Sequence, residues 1–276
     1  MGEKMKSLLV SLGAMLLAAL LVLPVSAFDP PDTLWTTTHG WDDFDMFYCV
    51  EPTSDGGYVM VGDIYYDGDT DLLMAYSDSN GNIIWSHVLG EVSNYETGWC
   101  VKETSDGGYI FAGQREDLNH PSNIWLLKTD PSGNEIWSHT YDAGEPSIGH
   151  HVKETPDGGF IILGSLVDWN TGEILFLLLK TDADGNQSWL QVLGEQTGFP
   201  AGVELTPDGG YMIAGTVYQG ETWYQDACLI KTDGDGNEVW QQTYGDFDSE
   251  AIRGFEQTSD GGYLMAGTLS PVDSGA

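Results

Sequence analysis

The sequence predicts an all-β fold: a β-propeller of four-stranded antiparallel blades, one blade for each repeat of about 51 residues. Three observations carry the prediction. Two markers recur in one register, both have the chemistry of tight turns, and the strands between them are too apolar to leave a face in water.

The first marker is Asp-Gly-Gly followed by an aromatic residue. It stands at Asp55–Tyr58, Asp106–Tyr109, Asp157–Phe160, Asp208–Tyr211 and Asp260–Tyr263, in steps of 51, 51, 51 and 52 residues. Four residues beyond each aromatic lies another glycine: Gly62, Gly113, Gly164, Gly215 and Gly267. The second marker, Gly-Asn with a tryptophan three residues on, falls at Asn82/Trp85, Asn134/Trp137, Asn186/Trp189 and Asn237/Trp240.

The second repeat illustrates the elements in order. Cys100–Thr104 leads into the Asp-Gly-Gly turn and Tyr109–Gly113 returns from it, because Asp-Gly and Gly-Gly supply the positive φ that a tight hairpin needs. After a variable link come Ile124–Thr129, a turn at Asp130–Asn134, and Glu135–Tyr141. No helical period runs between them, so each repeat reads as four short strands. The third strand is nearly all apolar, as in Leu175–Leu179, and must be covered on both faces. Blades packed face to face around an axis supply that cover; a parallel β-helix has much shorter repeats. The lone glycine after the aromatic is expected to let the neighbouring blade approach closely.

The two ends are incomplete repeats. Leu34–Gly40 is similar to Ile84–Gly90, a fourth strand without its first three, and Glu250–Leu269 holds a first and second strand without the last two. They predict four full blades and a partial fifth closed by the N-terminal strand, or else a fragment of a larger propeller.

Residues 1–27 stand apart as an expected signal peptide, with Lys4 and Lys6, an apolar run from Leu8, and small residues at Val25-Ser26-Ala27. That leaves 28–276 as the repeat domain. The run Leu8–Val25 is near the lower limit for a membrane span, so an uncleaved anchor is the alternative. Either reading places the domain outside the cytoplasm, secreted or on the cell surface. After cleavage it is expected to be monomeric and not inserted in a membrane. Lys+Arg number 9 against 43 Asp+Glu, a net charge of −34. Such a surface repels nucleic-acid phosphates and anionic lipid, which excludes both as partners. Of the three cysteines, Cys49 and Cys100 occupy matching places in successive repeats, expected to be too far apart for a disulfide. Free, buried thiols are the expectation.

The runs Thr129–Trp137 and Thr232–Trp240, of the form Thr-Asp-x-x-Gly-Asn-x-x-Trp, resemble the repeats of secreted prokaryotic β-propeller proteins with Asp-Gly-Gly-Tyr motifs. The strand bearing the tryptophan also resembles the tryptophan-docking repeat of pyrroloquinoline-quinone dehydrogenases. The resemblance spans Leu34–Leu269 and implies a propeller of an exported or surface protein. The quinoprotein cofactor residues, among them a vicinal cysteine pair in some members, are not placed in this chain, so dehydrogenase activity is not carried over.

Candidate sites follow from residue type and place. Asp182, Asp184 and Asn186, and likewise Asp233, Asp235 and Asn237, put oxygen ligands at alternate positions, as calcium loops begin. The matching turns at Asp78 and Asp130 lack the middle Asp, so a plain turn is the competing account and no cofactor is required. His87 and His139 exchange with Gln191 and Gln242 in other repeats, which points to a hydrogen bond at a blade edge. His151 aligns with Cys49, Cys100, Gly202 and Gly254, and these residues ring the central channel if the first strand lines it. Trp169 and Trp223 lie in variable links with Tyr218 and Tyr224 nearby, where stacking on a ligand is expected. No nucleophile–base pair or isolated acid pair stands out. The expected function is therefore a non-enzymatic extracellular binding or scaffold module, engaging a protein or a glycan through loops on one propeller face. The alternative is a propeller enzyme, a quinoprotein-like oxidoreductase or a carbohydrate-active enzyme.

Overall fold

The computed structural model describes residues 44–270 apart from 67, 92–93, 118–119, 194–196, 219–223 and 246–248. The expected signal peptide, the N-terminal strand at 34–40 and Trp223 lie outside the described residues. Within them every regular element is a strand, and no helix is long and apolar enough to cross a membrane.

Among the described residues eighteen strands fall into repeated units. The first unit is β1 (Phe44–Pro52), β2 (Tyr58–Tyr66), β3 (Asp69–Ser77) and β4 (Ile83–Leu89). The second is β5 (Tyr95–Glu103), β6 (Tyr109–Asp117), β7 (His120–Thr129) and β8 (Glu135–Tyr141). The third is β9 (Ser147–Glu154), β10 (Phe160–Val167), β11 (Ile174–Thr181) and β12 (Gln187–Leu193). The fourth is β13 (Gly198–Leu205), β14 (Tyr211–Tyr218), β15 (Gln225–Thr232) and β16 (Glu238–Tyr244). The last is a pair, β17 (Ser249–Gln257) and β18 (Tyr263–Ser270). Each unit is an antiparallel meander, and one parallel contact, Thr70 with Tyr95, joins the first two sheets. Among the described residues no backbone pairing joins the first sheet to the last.

The turns hold because side chains repeat with the backbone. In each Asp-Gly-Gly turn the Asp carboxylate accepts from the preceding Thr hydroxyl and from a Gly N–H, as Asp106 does at 2.6 and 3.0 Å. Lys128, Lys180 and Lys231 reach across from the third strand to Asp106, Asp157 and Asp208. In the first unit Tyr76 replaces the lysine and donates to Asp55 at 2.6 Å. In each Gly-Asn turn the Asp accepts two backbone N–H groups and the Asn side chain, with a glycine at positive φ between them.

Three apolar cores fill the junctions between successive units, built from strands such as Leu72–Ala75, Ile124–Leu127 and Phe176–Leu179. The marker tryptophans complete them. Trp137 of the second unit lies over the turn glycine of the third, where a Cβ on Gly185 would sit 2.9 Å from its ring. Trp85 over Gly133 and Trp189 over Gly236 repeat the contact. His87 and His139 reach the backbone carbonyls of Ser132 and Asp184 in the next unit, at 3.0 and 3.1 Å, the edge hydrogen bond that the exchange with Gln points to.

The glycine four residues after each aromatic is explained differently from the expectation. A Cβ on Gly62, Gly113 or Gly267 would strike the carbonyl oxygen of Met46, Thr97 or Ala251, on the first strand of the same unit. The reason is a β-bulge: the register of every first strand slips beside this glycine, and the extra residue swings its backbone toward the partner. At Gly164 and Gly215 the expected close approach of a neighbouring unit is also present, since a Cβ there would meet Ile124 at 3.2 Å and the Phe176 ring respectively.

Candidate axial site

First strands of successive units pack against one another, so β1, β5, β9, β13 and β17 form the inner layer of the array. The bulge gives each one an extra residue: Tyr48, Trp99, His150, Ala201 and Arg253. A bulge re-aims a side chain that the pleat would otherwise bury. Here it brings three aromatic rings, 51 residues apart in sequence, into one arc. Tyr48 stacks on Trp99 with ring centroids 4.6 Å apart, and Trp99 lies 6.3 Å from His150.

A polar group from the second strand meets this arc. The Tyr48 hydroxyl donates to Asp63 at 3.1 Å, and the fully buried Thr97 donates to the same oxygen at 3.3 Å. Burial raises the Asp63 carboxyl above its ordinary range against the pull of these two donors. Tyr48 is pushed up to about 12 by burial and by the neighbouring Asp63. In the third unit His150 and Ser165 share a hydrogen bond of 2.8 Å, and burial lowers the histidine to about 4. The buried Trp99 indole N–H meets no acceptor among the described residues.

A second buried carboxyl lies at the same junction. Glu96 is 1% exposed and sits beside Asp71 of the first unit. Its pKa is raised to about 7 because burial outweighs the attraction of Arg115. Arg115 is divided between two acids, with Nε 3.1 Å from Glu96 and Nη2 2.7 Å from Glu91.

The residues expected from sequence are placed as follows. His151 follows the bulge residue in β9 and is half-buried, lowered to about 4 by burial and by nearby cations. Trp169 is 70% exposed in the β10–β11 link, and Tyr224 is exposed before β15. Tyr218 ends β14 and meets Phe199, a partner that the sequence reading did not include, at 6.1 Å. These links lie at the strand ends opposite the Asp-Gly-Gly turns. The Asp-rich turns serve as clamps: Asp182 accepts from the N–H groups of Asp184 and Asn186 and from the Asn186 amide, and Asp233, Asp235 and Asn237 repeat the pattern. Among the described residues no group of three or more His, Cys, Asp or Glu is arranged to hold a metal ion.

Sequence reading missed Tyr48, Trp99, His150 and Asp63. The alignment on Cys49, Cys100 and His151 stopped one residue short of the arc, because a bulge leaves no mark of its own in residues as unlike as Tyr, Trp, His, Ala and Arg.

No protein-family model matches the chain, and comparison with curated proteins finds no match. Solved structures do match. An endo-arabinase from Bacteroides thetaiotaomicron VPI-5482 is similar with a TM-score of 0.54 at 9% identity, over 83% of this chain and 94% of that one. A puromycin hydrolase is similar with a TM-score of 0.53 at 16% identity, over 80% of this chain but 35% of that one, so the likeness spans about a third of the hydrolase. A GH43 β-xylosidase/α-arabinofuranosidase from a compost metagenome gives a lower TM-score of 0.45 at 13% identity, over 83% and 91%. At these identities the likeness is one of fold, and the fold is a β-propeller.

The comparison also corrects the expectation of a non-enzymatic binding module. The propellers that this chain matches belong to enzymes, an endo-arabinase and a puromycin hydrolase. That expectation rested on the lack of a linear catalytic motif. In this fold the lack carries no weight, because residues that meet at the axis come from strands about 51 residues apart.

Proposed function

We propose that the protein is a carbohydrate-active propeller enzyme that takes a glycan at the axial end and acts on it through Asp63. The observation that carries this reading is the Asp63 carboxyl, raised by burial and held by Tyr48 and Thr97 beside the stacked Tyr48–Trp99 pair. Aromatic faces suit the apolar faces of sugar rings, and a carboxyl whose protonated form burial favours is suited to a proton-transfer role. The Trp99 N–H adds a donor for a ligand oxygen. Trp169, Tyr224 and the Phe199–Tyr218 pair extend the aromatic surface outward on the same end.

Arabinan is the first substrate to try, since an endo-arabinase shares the fold. The finer architecture belongs to the same reading: four complete blades and a partial fifth, supported by four four-stranded units and one two-stranded unit. So does export after cleavage at Ala27, with relatives among secreted prokaryotic propellers carrying the same repeat.

The test is release of reducing ends from a polysaccharide panel headed by arabinan, with Asp63→Asn as control. Turnover on one polymer that falls at least about 100-fold in the variant supports the reading. Turnover on none, together with an unfolding midpoint that no glycan moves, overturns it.

A further inference from the structure

No nucleophile–base pair is visible along the sequence, but the fold makes one. His150 is the bulge residue of β9, and Ser165 follows the marker glycine Gly164 on β10. The register slip beside Gly164 re-aims the imidazole, and its Nε2 lies 2.8 Å from the Ser165 hydroxyl oxygen. Burial keeps the ring uncharged at neutral pH. With the ring hydrogen on Nδ1, Nε2 is an acceptor for the serine proton.

The matching places in other units are used differently. Thr216, the matching hydroxyl of the fourth unit, accepts the Ile252 N–H of the last unit at 2.8 Å and so braces a junction. The bulge residue of that unit is Ala201, which offers no base. In the first unit Asp63 accepts from Tyr48 and Thr97. Among the described residues Ser165 is therefore the hydroxyl of this row that meets a base. A donor stands beside the pair: the Trp99 ring lies 6.3 Å from that of His150, and its buried N–H meets no acceptor among the described residues. Such a donor suits a carbonyl oxygen that gains charge during attack. Ser165 is 6% exposed, so the approach fits a short acyl group and not a bulky one.

We propose that Ser165 and His150 form a nucleophile–base dyad that hydrolyses short acyl esters, such as the O-acetyl groups of a sugar. The Ser165 oxygen attacks the ester carbonyl carbon while its proton passes to His150 Nε2, and the new oxyanion accepts from the Trp99 N–H. The oxyanion collapses, the bond to the alcohol oxygen breaks, and that oxygen takes the proton from His150. Water then attacks the acyl-serine and gives a proton to His150. The serine oxygen departs with that proton as the carboxylic acid is released. One ester and one water become one alcohol and one acid. The proposal stands whether or not Asp63 acts on a glycan.

The full chain is given p-nitrophenyl acetate and, separately, glucose pentaacetate. The expected result is release of p-nitrophenol and of acetate above the buffer rate. An acetyl adduct on the peptide that carries Ser165 should appear after acid quench. Ser165→Ala and His150→Gln should each lower turnover at least about 100-fold, with unfolding midpoints showing that both variants are folded. Trp99→Phe keeps a ring, removes the N–H, and should cost roughly 10- to 100-fold. No release above buffer from wild type, an adduct confined to other residues, or turnover unchanged in Ser165→Ala would each overturn the proposal. The adduct is mapped on wild type, so it holds even if Ser165→Ala fails to fold.

Discussion

The junction between the first two units and the junction between the third and fourth occupy the same places in the repeat and are built from opposite materials. At the first stand Asp63, Tyr48, Trp99, the two cysteines, the half-buried Asp71 and the buried Glu96. At the other, the matching places hold Ser165, His150, Ala201, His151, Gly202, Leu175 and Gly198, over a core of Leu163, Phe176, Leu178 and Val203. What the junctions share is the framework of bulge, turn clamps and the tryptophan over a glycine. What separates them is the kind of chemistry that their inner strands carry. A repeated scaffold thus leaves most of its axial positions free to vary, and the stacked Tyr48–Trp99 pair with its buried carboxyl belongs to the first junction.

The largest contrast concerns activity. Asp63→Asn is expected to cost at least about 100-fold in turnover with little change in unfolding midpoint, whereas Ser165→Ala, at the matching place, is expected to cost less than about tenfold. Equal losses would mean that the reacting centre reaches into the third unit.

Next come the shared features, which should respond alike at both junctions. Gly133 (φ 78°) and Gly236 (φ 79°) each lie under a tryptophan, with a Cβ 2.9 and 2.7 Å from the ring. Replacing either with Ala should cost about 2–4 kcal/mol in denaturant unfolding, combining left-handed strain with overpacking. Gly209→Ala, at φ 84° with nothing within 4 Å of its Cβ, should cost only about 1–2 kcal/mol. A clear difference between Gly133 and Gly236 would break the idea of a common framework.

A loss of stability as pH rises toward 7 should belong to the first junction, whereas His150 and His151, lowered to about 4 by burial, cost stability as pH falls below about 6.5. Glu96 is raised to about 7 in the folded chain, so the folded state binds its proton more tightly than the unfolded state. Its contribution to stability is therefore present below about pH 4.5 and lost as pH rises to about 7. Glu96→Gln should remove that loss and stabilise the protein by on the order of 2 kcal/mol at pH 8, with a smaller effect at pH 5. Unfolding midpoints of both proteins across pH 5 to 8 measure it, and parallel curves would place the Glu96 proton outside the stability of the fold.

The smallest contrast is in binding. Trp99→Ala is expected to weaken glycan affinity about tenfold by calorimetry, and the 70% exposed Trp169→Ala less than about threefold. The reverse order would move the main contact from the axis to the outer links.

The sequence alone was enough for the repeat, the four-strand unit and its turns, because those are set within a few residues: Asp-Gly-Gly supplies the φ, the Asp and Asn side chains close their own loops, and apolar strands demand cover on both faces. It also placed His87 and His139 at an edge. Only the tertiary structure decided what meets at the axis. Tyr48, Trp99 and His150 belong to three units and are brought together by a bulge, a backbone event that any residue can occupy. Asp63 illustrates both halves of the lesson. Its place in β2 follows from the strand pattern, but its burial, its partners and its raised pKa arise only when β1 and β5 close over it.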